Sequence, residues 1–275
     1  MRQRLGAKVH AMSETYPLMA GKDYLAPSVF EPENLLREAR RQRGLVELPV
    51  PAVCLLDPDG DIVRYLKRSG RGHKHEGWAC YHTEMWITDV DGLEIGVVGM
   101  AVGAPFAVLV AEQLAVSGAR LTISVTSAGG VATLREPPYF VLIDRALRDE
   151  GTSLHYQPPA KWSRLAESLR ARLEGPLSSL PEPVVVGDAW TTDAPYRETR
   201  AALAGAEAEG VLCVEMEAAA LYAYANARGR DVVCLAHLTN TMAVGGDDFE
   251  KGRDNGAHAA LSVVHAVAAA ALRTA

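Results

Sequence analysis

The sequence predicts an α/β fold built on a parallel or mixed sheet. Short apolar runs bounded by turn residues recur along the chain, which is typical of strands. Helical patterns lie between the later runs, and strands that alternate with helices favour this fold class. The predicted strands are Val53–Leu56, Met85–Val90, Leu93–Met100, Leu121–Val125, Phe140–Ile143, Val184–Val186, Val211–Val214 and Val232–Leu235.

Five segments carry a helical pattern, and a tight turn joins two of the strands. Asp91-Gly92 follows one predicted strand and precedes the next, and this pair is typical of a two-residue hairpin turn. The first 45 residues are mixed and polar, so we expect residues 1–45 to form an N-terminal extension that packs on a single domain of residues 46–275. The predicted helices are Pro32–Arg43, Pro105–Ser117, Trp162–Leu173, Glu217–Arg228 and Ala257–Leu272.

Composition and charge argue against several classes of protein. The 275 residues carry 28 Lys and Arg against 34 Asp and Glu, a net charge of −6, whereas nucleic-acid binding needs a basic surface. The most apolar stretch, Ala257–Leu272, is shorter than the ~20 residues of a membrane span. The four cysteines form no CxxC pair, which favours a reducing compartment. We therefore expect a cytoplasmic protein with neither a nucleic-acid nor a membrane partner.

The most informative segment is the one in which a strand runs directly into an alanine-rich helix. Glu215 and Glu217 flank Met216 at this junction, and Glu217 stands near the helix N-terminus, where the macrodipole favours its charge. Both acids could simply be solvated at the helix start. Acids at the mouth of an apolar segment are otherwise costly unless they meet a polyol or a metal. No set of residues with metal-ligand spacing accompanies them, so a polyol such as ribose is favoured and no metal site is expected.

Other segments that follow predicted strands carry small or polar side chains, and ligands of α/β proteins bind at such places. Thr126–Gly130 would let the backbone approach an anion or a sugar, or it is only a tight turn. His155 and Tyr156 are either a structural pair or part of a binding loop. Asn240 offers a donor and an acceptor for a base edge, although a turn residue is the plainer interpretation.

The segment Trp190–Thr199 is rich in hydrogen-bonding and aromatic side chains. Trp190 and Tyr196 would stack on a planar ligand, and the polar residues between them would bind its edges. The segment also has the pattern of a capped helix start, with Asp193 as the N-cap residue and Pro195 near the first turn. The two interpretations are compatible.

The order of these segments resembles the nucleoside phosphorylase superfamily, that is, uridine phosphorylases, purine nucleoside phosphorylases and methylthioadenosine/S-adenosylhomocysteine nucleosidases. Val214–Leu221 is similar to the ribose-binding signature, Ser127–Gly130 to the glycine-rich loop of the nucleosidases, and Asp149–Tyr156 to a uridine phosphorylase segment. The resemblance covers about residues 50 to 272. It implies an α/β/α sandwich around a mixed, partly barrel-like sheet, and a homo-oligomer (a dimer, trimer or hexamer).

The resemblance also implies roles for individual residues. Glu217 would bind the ribose 2′- and 3′-hydroxyls, Met216 would pack on the sugar, and Glu215 would support them. Asn240 corresponds to a base-binding Asn of uridine phosphorylases and trimeric purine enzymes, so we expect an oxo base. The expected catalytic residues are Glu217, Asn240 and Asp193, and the expected substrate-binding residues are Glu215, Met216, Ser127, Ala128, Gly129, Trp190, Thr192, Tyr196 and His155.

The chain departs from the family at the phosphate-binding and uracil-binding positions. Leu56–Gly60 keeps only part of the Gly-Asp-Pro loop, and family arginines fall on Ser124 and near Tyr81. The Gln-x-Arg element that binds uracil is missing after Tyr196. A phosphate dianion needs compensating positive charge. We therefore expect no cofactor and at best weak binding of phosphate, the possible cosubstrate.

Three functions are consistent with a protein of this kind to different degrees. The leading hypothesis is an enzyme that cleaves the N-glycosidic bond of a nucleoside, with phosphate or water as acceptor. The second is a nucleoside-binding sensor or partner protein with little turnover, which would bind nucleosides without releasing the base. The third, an NAD-dependent oxidoreductase, lacks the glycine fingerprint that a dinucleotide requires.

Overall fold

The computed structural model describes residues 17–19, 21–132, 134–241 and 251–273, without the side chains at positions 17, 240 and 241. This part of the chain contains ten strands and seven α-helices. The strands are β1 (Val53–Asp57), β2 (Gly72–Lys74), β3 (Met85–Val90), β4 (Leu93–Gly99), β5 (Leu121–Gly130), β6 (Tyr139–Asp149), β7 (Trp162–Arg164), β8 (Val184–Thr192), β9 (Val211–Glu215) and β10 (Asp231–Thr241). The helices are α1 (Pro32–Arg43), α2 (Asp61–Ser69), α3 (Ala104–Val116), α4 (Glu167–Leu177), α5 (Arg200–Ala208), α6 (Ala218–Arg228) and α7 (Ala257–Ala271).

The ten strands form one mixed sheet that closes on itself over half of its width. The order β10-β6-β8-β9-β5-β1-β4-β3-β2 places β10 at one end, and β10 also pairs in parallel with β5. Strands β10, β6, β8, β9 and β5 therefore form a closed ring, while β1, β4, β3 and β2 extend from it as an open sheet. The predicted α/β fold with a mixed, partly barrel-like sheet is confirmed.

Helices pack on the sheet in two groups. Helices α3 and α6 contact each other, and α1 packs on α3. Helices α4 and α2 both contact α7, which also packs on β5. Every residue of β1 is buried, as expected of a central strand that is paired in parallel on both sides and covered on both faces. The core therefore follows the sheet.

The segment before β1 is attached to the rest of the chain through α1. Leu36 and Ala39 of this helix are buried against Ala79, with Leu45 and Val116 packed beside them. No helix in the described part of the chain has the length and apolarity needed to cross a bilayer.

Several predicted strands are longer in the structure than in the sequence pattern. Residues 126–130, expected as a loop, continue β5, and residues 190–192 continue β8. Gly129 and Gly130 pair with β9 on one side and β10 on the other. Pairing with two neighbours keeps small and polar residues in the sheet, although their apolar pattern has ended. The Asp91-Gly92 hairpin is confirmed, with φ values of 51° and 82°.

The predicted helix Trp162–Leu173 is wrong in its first part. Trp162–Arg164 forms β7, which pairs antiparallel with β6, and the helix runs instead over Glu167–Leu177. Asp193 is not a helix cap. The N-cap residue of α5 is Thr199, whose hydroxyl accepts a hydrogen bond from the Ala202 N–H at 3.2 Å. The short segments α2, α5, β2 and β7 were not predicted.

Candidate active site

A cleft of about 410 Å³ opens where the ends of β5, β9 and β10 meet the connections that follow β1, β4 and β8. Strands β8 and β9 run in parallel with Thr191 beside Glu215, and β5 crosses the end of β9 with Gly129 beside Val214. The strand ends therefore bring distant parts of the sequence to one place. The lining residues are Pro58, Asp59, Val102, Thr126, Ser127, Ala128, Gly129, Pro195, Tyr196, Glu198, Val214, Glu215, Met216, Glu217 and Thr239.

Glu217 lies at the N-cap position of α6 and is almost completely buried. Its Oε1 accepts a hydrogen bond of 2.7 Å from the backbone N–H of Gly103, the N-cap residue of α3. Its Oε2 is buried and has no hydrogen-bond partner in the described part of the chain. A carboxylate oxygen that is dehydrated and unpaired is costly, so this atom is available for a donor from a ligand.

The pKa of Glu217 reflects this environment. Burial, followed by the nearby charges of Glu215 and Asp59, raises it to about 8, while the Gly103 N–H and the Thr126 hydroxyl act to lower it. The N-terminus of α3 also favours a negative charge at this place. Glu217 thus holds a proton in the unliganded protein near neutral pH, and donors from a ligand would favour its ionised form.

Glu215 has a different environment although it stands only two positions away. Its Oε2 accepts hydrogen bonds of 2.7 Å from the backbone N–H groups of Glu217 and Ala218, and its Oε1 accepts one from the Thr191 hydroxyl. Thr191 in turn accepts a hydrogen bond from Ala219 N–H at 2.9 Å. Burial raises the pKa of Glu215 despite these donors. Both carboxylate oxygens are occupied within the protein, and this geometry favours a role in fixing the start of α6.

Ser127, a predicted ligand-binding residue, is bound to a carboxylate of the protein itself. Its backbone N–H donates to Asp59 Oδ2 at 2.7 Å, and its hydroxyl donates to Asp59 Oδ1 at 3.0 Å. The Lys251 ammonium lies 3.5 Å from Asp59 Oδ2. Asp59 therefore takes up the donors that an incoming anion would need from Ser127.

Lys251 is also held by a second acid, which limits the charge that it offers to the cleft. Its Nζ lies 2.7 Å from Asp61 Oδ2, while Arg64 and Asn255 contact Asp61 Oδ1. Burial acts to raise the pKa of Asp61, but the hydrogen bonds from Lys251, Arg64 and Asn255 lower it below its usual value. Asp57, buried behind this cluster, has its pKa raised to about 7 by burial, with Asp59 and Asp61 adding to the effect.

The cleft is consequently acidic. Four carboxyl groups line it, those of Asp59, Glu198, Glu215 and Glu217, and none of its described lining residues is Lys or Arg. Such a wall opposes a phosphate dianion and favours a group that develops positive charge. No cluster of three or more His, Cys, Asp or Glu side chains in the described residues has the geometry of a metal site.

The structure brings seven of the predicted site residues together in the cleft and places others elsewhere. Trp190 is buried in a separate apolar cluster, and its indole N–H donates to Asp149 at 3.0 Å. The other three residues outside the lining are His155, whose ring lies 2.9 Å from the Lys22 ammonium, Asp193, which accepts from Gly151 N–H, and Thr192, which accepts from Ala194 N–H. The seven in the lining are Ser127, Ala128, Gly129, Tyr196, Glu215, Met216 and Glu217.

The backbone of Asn240 lies in β10 opposite Gly129, at the edge of the cleft. Its side chain lies outside the described part of the structure, so its role as a base-binding residue stays a prediction.

Sequence reasoning missed Asp59, Gly103 and Glu198 as members of the site. Asp59 lay in a segment considered only for phosphate, and Gly103 was noted only as a glycine that leads into a helix. No local pattern marks Glu198. Its position became visible only when the chain after β8 was seen to return to the cleft.

Comparison with known proteins agrees with this architecture. The family model described as "Phosphorylase superfamily" matches residues 53–273. The chain belongs to this superfamily, and the resemblance stated from the sequence is confirmed.

A relative from Halorubrum lacusprofundi, named "Guanosine phosphorylase", is 25% identical over 187 residues, which cover 65% of this chain and 78% of the relative. Together with the family match, this similarity supports a nucleoside phosphorylase-like enzyme that acts on a nucleoside glycosidic bond.

Proposed function

We propose that this protein is a nucleosidase-type enzyme, which cleaves the N-glycosidic bond of an oxo-base nucleoside and uses water as the acceptor. The observation that carries the choice of water is the pairing of Asp59 with Ser127. A phosphate ion at this place would have to displace an anion that is already held by two hydrogen bonds and a cation. It would also enter a cleft whose described lining lacks Lys and Arg.

The carboxyl groups have separate roles in the proposed reaction. The free Oε2 of Glu217 accepts from the ribose hydroxyls, while its Oε1 stays on Gly103 N–H. Glu215 positions the start of α6, and therefore Glu217, without touching the sugar. Because cleavage passes through an oxocarbenium-like sugar, the negative charge of the cleft stabilises the transition state.

Asp59 is the acid placed to activate water. It lines the cleft and lies close enough to Glu217 to affect its pKa. In the proposed step, the water oxygen bonds to C1′ and one water proton passes to Asp59. The C1′–N bond breaks, its electron pair goes to the base nitrogen, and the leaving base then takes up a proton. Ser127 holds the carboxylate in place during this transfer.

A panel of nucleosides assayed for base release, in phosphate-free buffer and in millimolar phosphate, tests the proposal. We expect release of an oxo base at the same rate in both buffers. Asp59→Asn keeps the shape of the side chain but removes the base, so we expect kcat to fall by about 100-fold or more with little change in nucleoside affinity. Binding of nucleosides without any release would contradict the proposal and favour the sensor hypothesis.

Phosphorolysis is the second candidate, because the relative from Halorubrum is named as a phosphorylase. It would require cations from outside the described lining, for example from a second copy of the chain. A strict dependence of base release on phosphate would support it.

A further inference from the structure

Glu198 is a cleft residue to which the proposed chemistry gives no role. Its side chain is half-buried in the cleft wall beside Pro195 and Tyr196. In the described part of the chain it forms neither an ion pair nor a side-chain hydrogen bond, and burial alone raises its pKa. A carboxyl group that loses water without gaining a partner is unfavourable in the free protein. Ligand N–H donors would compensate for this loss.

The backbone holds Glu198 from both sides. Pro195–Arg197 forms a turn of 3₁₀-helix directly before it, and the Glu198 N–H donates to the Pro195 carbonyl at 3.4 Å. Directly after it, Thr199 caps α5. A short turn followed by a capped helix leaves this position little freedom, so the carboxylate is presented to the cleft in a defined direction.

The cleft separates two kinds of wall. Met216 and Glu217 come from the junction of β9 and α6, the part with the free Glu217 oxygen. Pro195, Tyr196 and Glu198 come from the connection between β8 and α5. If the sugar occupies the first wall, the base faces the second, which presents a proline, an aromatic ring and one carboxylate.

We propose that Glu198 selects the base by accepting two hydrogen bonds from adjacent N–H donors on one base edge. This inference rests on the proposed function. An ionised carboxylate has two acceptor oxygens and no donor. The edge of guanine formed by N1–H and the 2-amino group matches it in two places. Hypoxanthine matches it in one place, and adenine presents an acceptor at N1. Uracil offers one N–H between two carbonyl groups that the second carboxylate oxygen would repel.

Glu198→Gln tests this assignment, with Glu207→Gln as the matched control. Glu207 is exposed on α5, so the control makes the same change of charge outside the cleft. The wild type should cleave guanosine more efficiently than inosine, and both more efficiently than adenosine. In Glu198→Gln the amide group opposes the 2-amino group, so the guanosine-to-inosine ratio of kcat/KM should fall by about 10-fold or more. The control should leave this ratio unchanged.

A Glu198→Gln enzyme that keeps the wild-type ratio, or a wild type that prefers adenosine, would overturn the assignment. If the wild type cleaves no nucleoside, the proposed function fails, but calorimetric binding still tests the role of Glu198. Guanosine should then bind about 10-fold more tightly than inosine to the wild type, and about equally tightly to Glu198→Gln. Equal binding of the two nucleosides to the wild type, or no binding of either, would contradict the role of Glu198.

Discussion

Replacing Glu217 by glutamine separates the charge of this residue from its shape. The amide oxygen can still accept from Gly103 N–H, which the wild-type Oε1 does at 2.7 Å. The amide nitrogen then replaces the free Oε2, so the contacts of a carboxylate with two ribose hydroxyls are lost. Such charge-assisted contacts contribute about 3 kcal/mol to transition-state binding. This loss corresponds to a decrease of kcat/KM of about 100-fold.

The same variant should change stability in the opposite direction, and the change should depend on pH. Because the folded protein raises the pKa of Glu217 to about 8, its protonated form contributes stability that is complete below the unfolded pKa of 4.5. This contribution is lost as the pH rises from there through the folded pKa. The glutamine of the variant does not titrate, so Glu217→Gln should gain stability relative to the wild type between pH 5 and pH 8, by at most about 1.4 kcal/mol per pH unit.

Base release and urea unfolding at pH 5 and pH 7.5 measure both effects. A variant that keeps more than about a tenth of the wild-type kcat/KM would refute the role of Glu217 in sugar binding, since tenfold is only about 1.4 kcal/mol. A stability difference that is the same at both pH values would refute the interpretation of Glu217 as a buried acid with a raised pKa.

Three further substitutions test the surroundings of the site. Gly103→Ala places a side chain at φ 85°, ψ 151°, which costs about 1–3 kcal/mol in urea unfolding and should lower kcat by displacing the donor to Glu217; an unchanged kcat would contradict this coupling. Trp190→Phe should lower the melting temperature, because it removes the hydrogen bond to Asp149, but should leave kcat/KM within about threefold; a large loss of activity in a stable variant would return Trp190 to the base pocket. Thr199→Ala should cost about 1 kcal/mol of stability by removing the cap of α5, and an unchanged unfolding midpoint would argue against that cap.

The sequence pattern was sufficient to predict where strands begin and how they alternate with helices, but not where they end. Apolar residues mark the buried beginning of β5, whereas Thr126–Gly130 stay in the strand because β9 and β10 pair with them. Those partners are far away in sequence. A local pattern therefore places the glycines near a ligand but cannot show that they are part of the sheet.

The candidate site was predictable where one segment carries it and not where two segments meet. Glu217 could be recognised from its own surroundings in the sequence, since a strand-to-helix junction with acids is unusual. Asp59 could not, because its partner Ser127 lies 68 residues further along the chain. Trp190 was assigned to the base pocket by its chemistry, but its neighbour Thr191 points to Glu215 and Trp190 packs into a separate cluster. Successive residues of a strand face opposite sides, so only one of this pair can face the Glu215 side.

The identity of the sugar product tests the central claim most directly. Guanosine and inosine are incubated with the enzyme in millimolar phosphate, and released base, free ribose and ribose 1-phosphate are quantified together. We predict one free ribose for each base released and no ribose 1-phosphate, because Asp59 occupies the donors of Ser127 and the described cleft lining lacks cations. Formation of one ribose 1-phosphate for each base released would contradict this account and would show that phosphate enters the cleft in place of water.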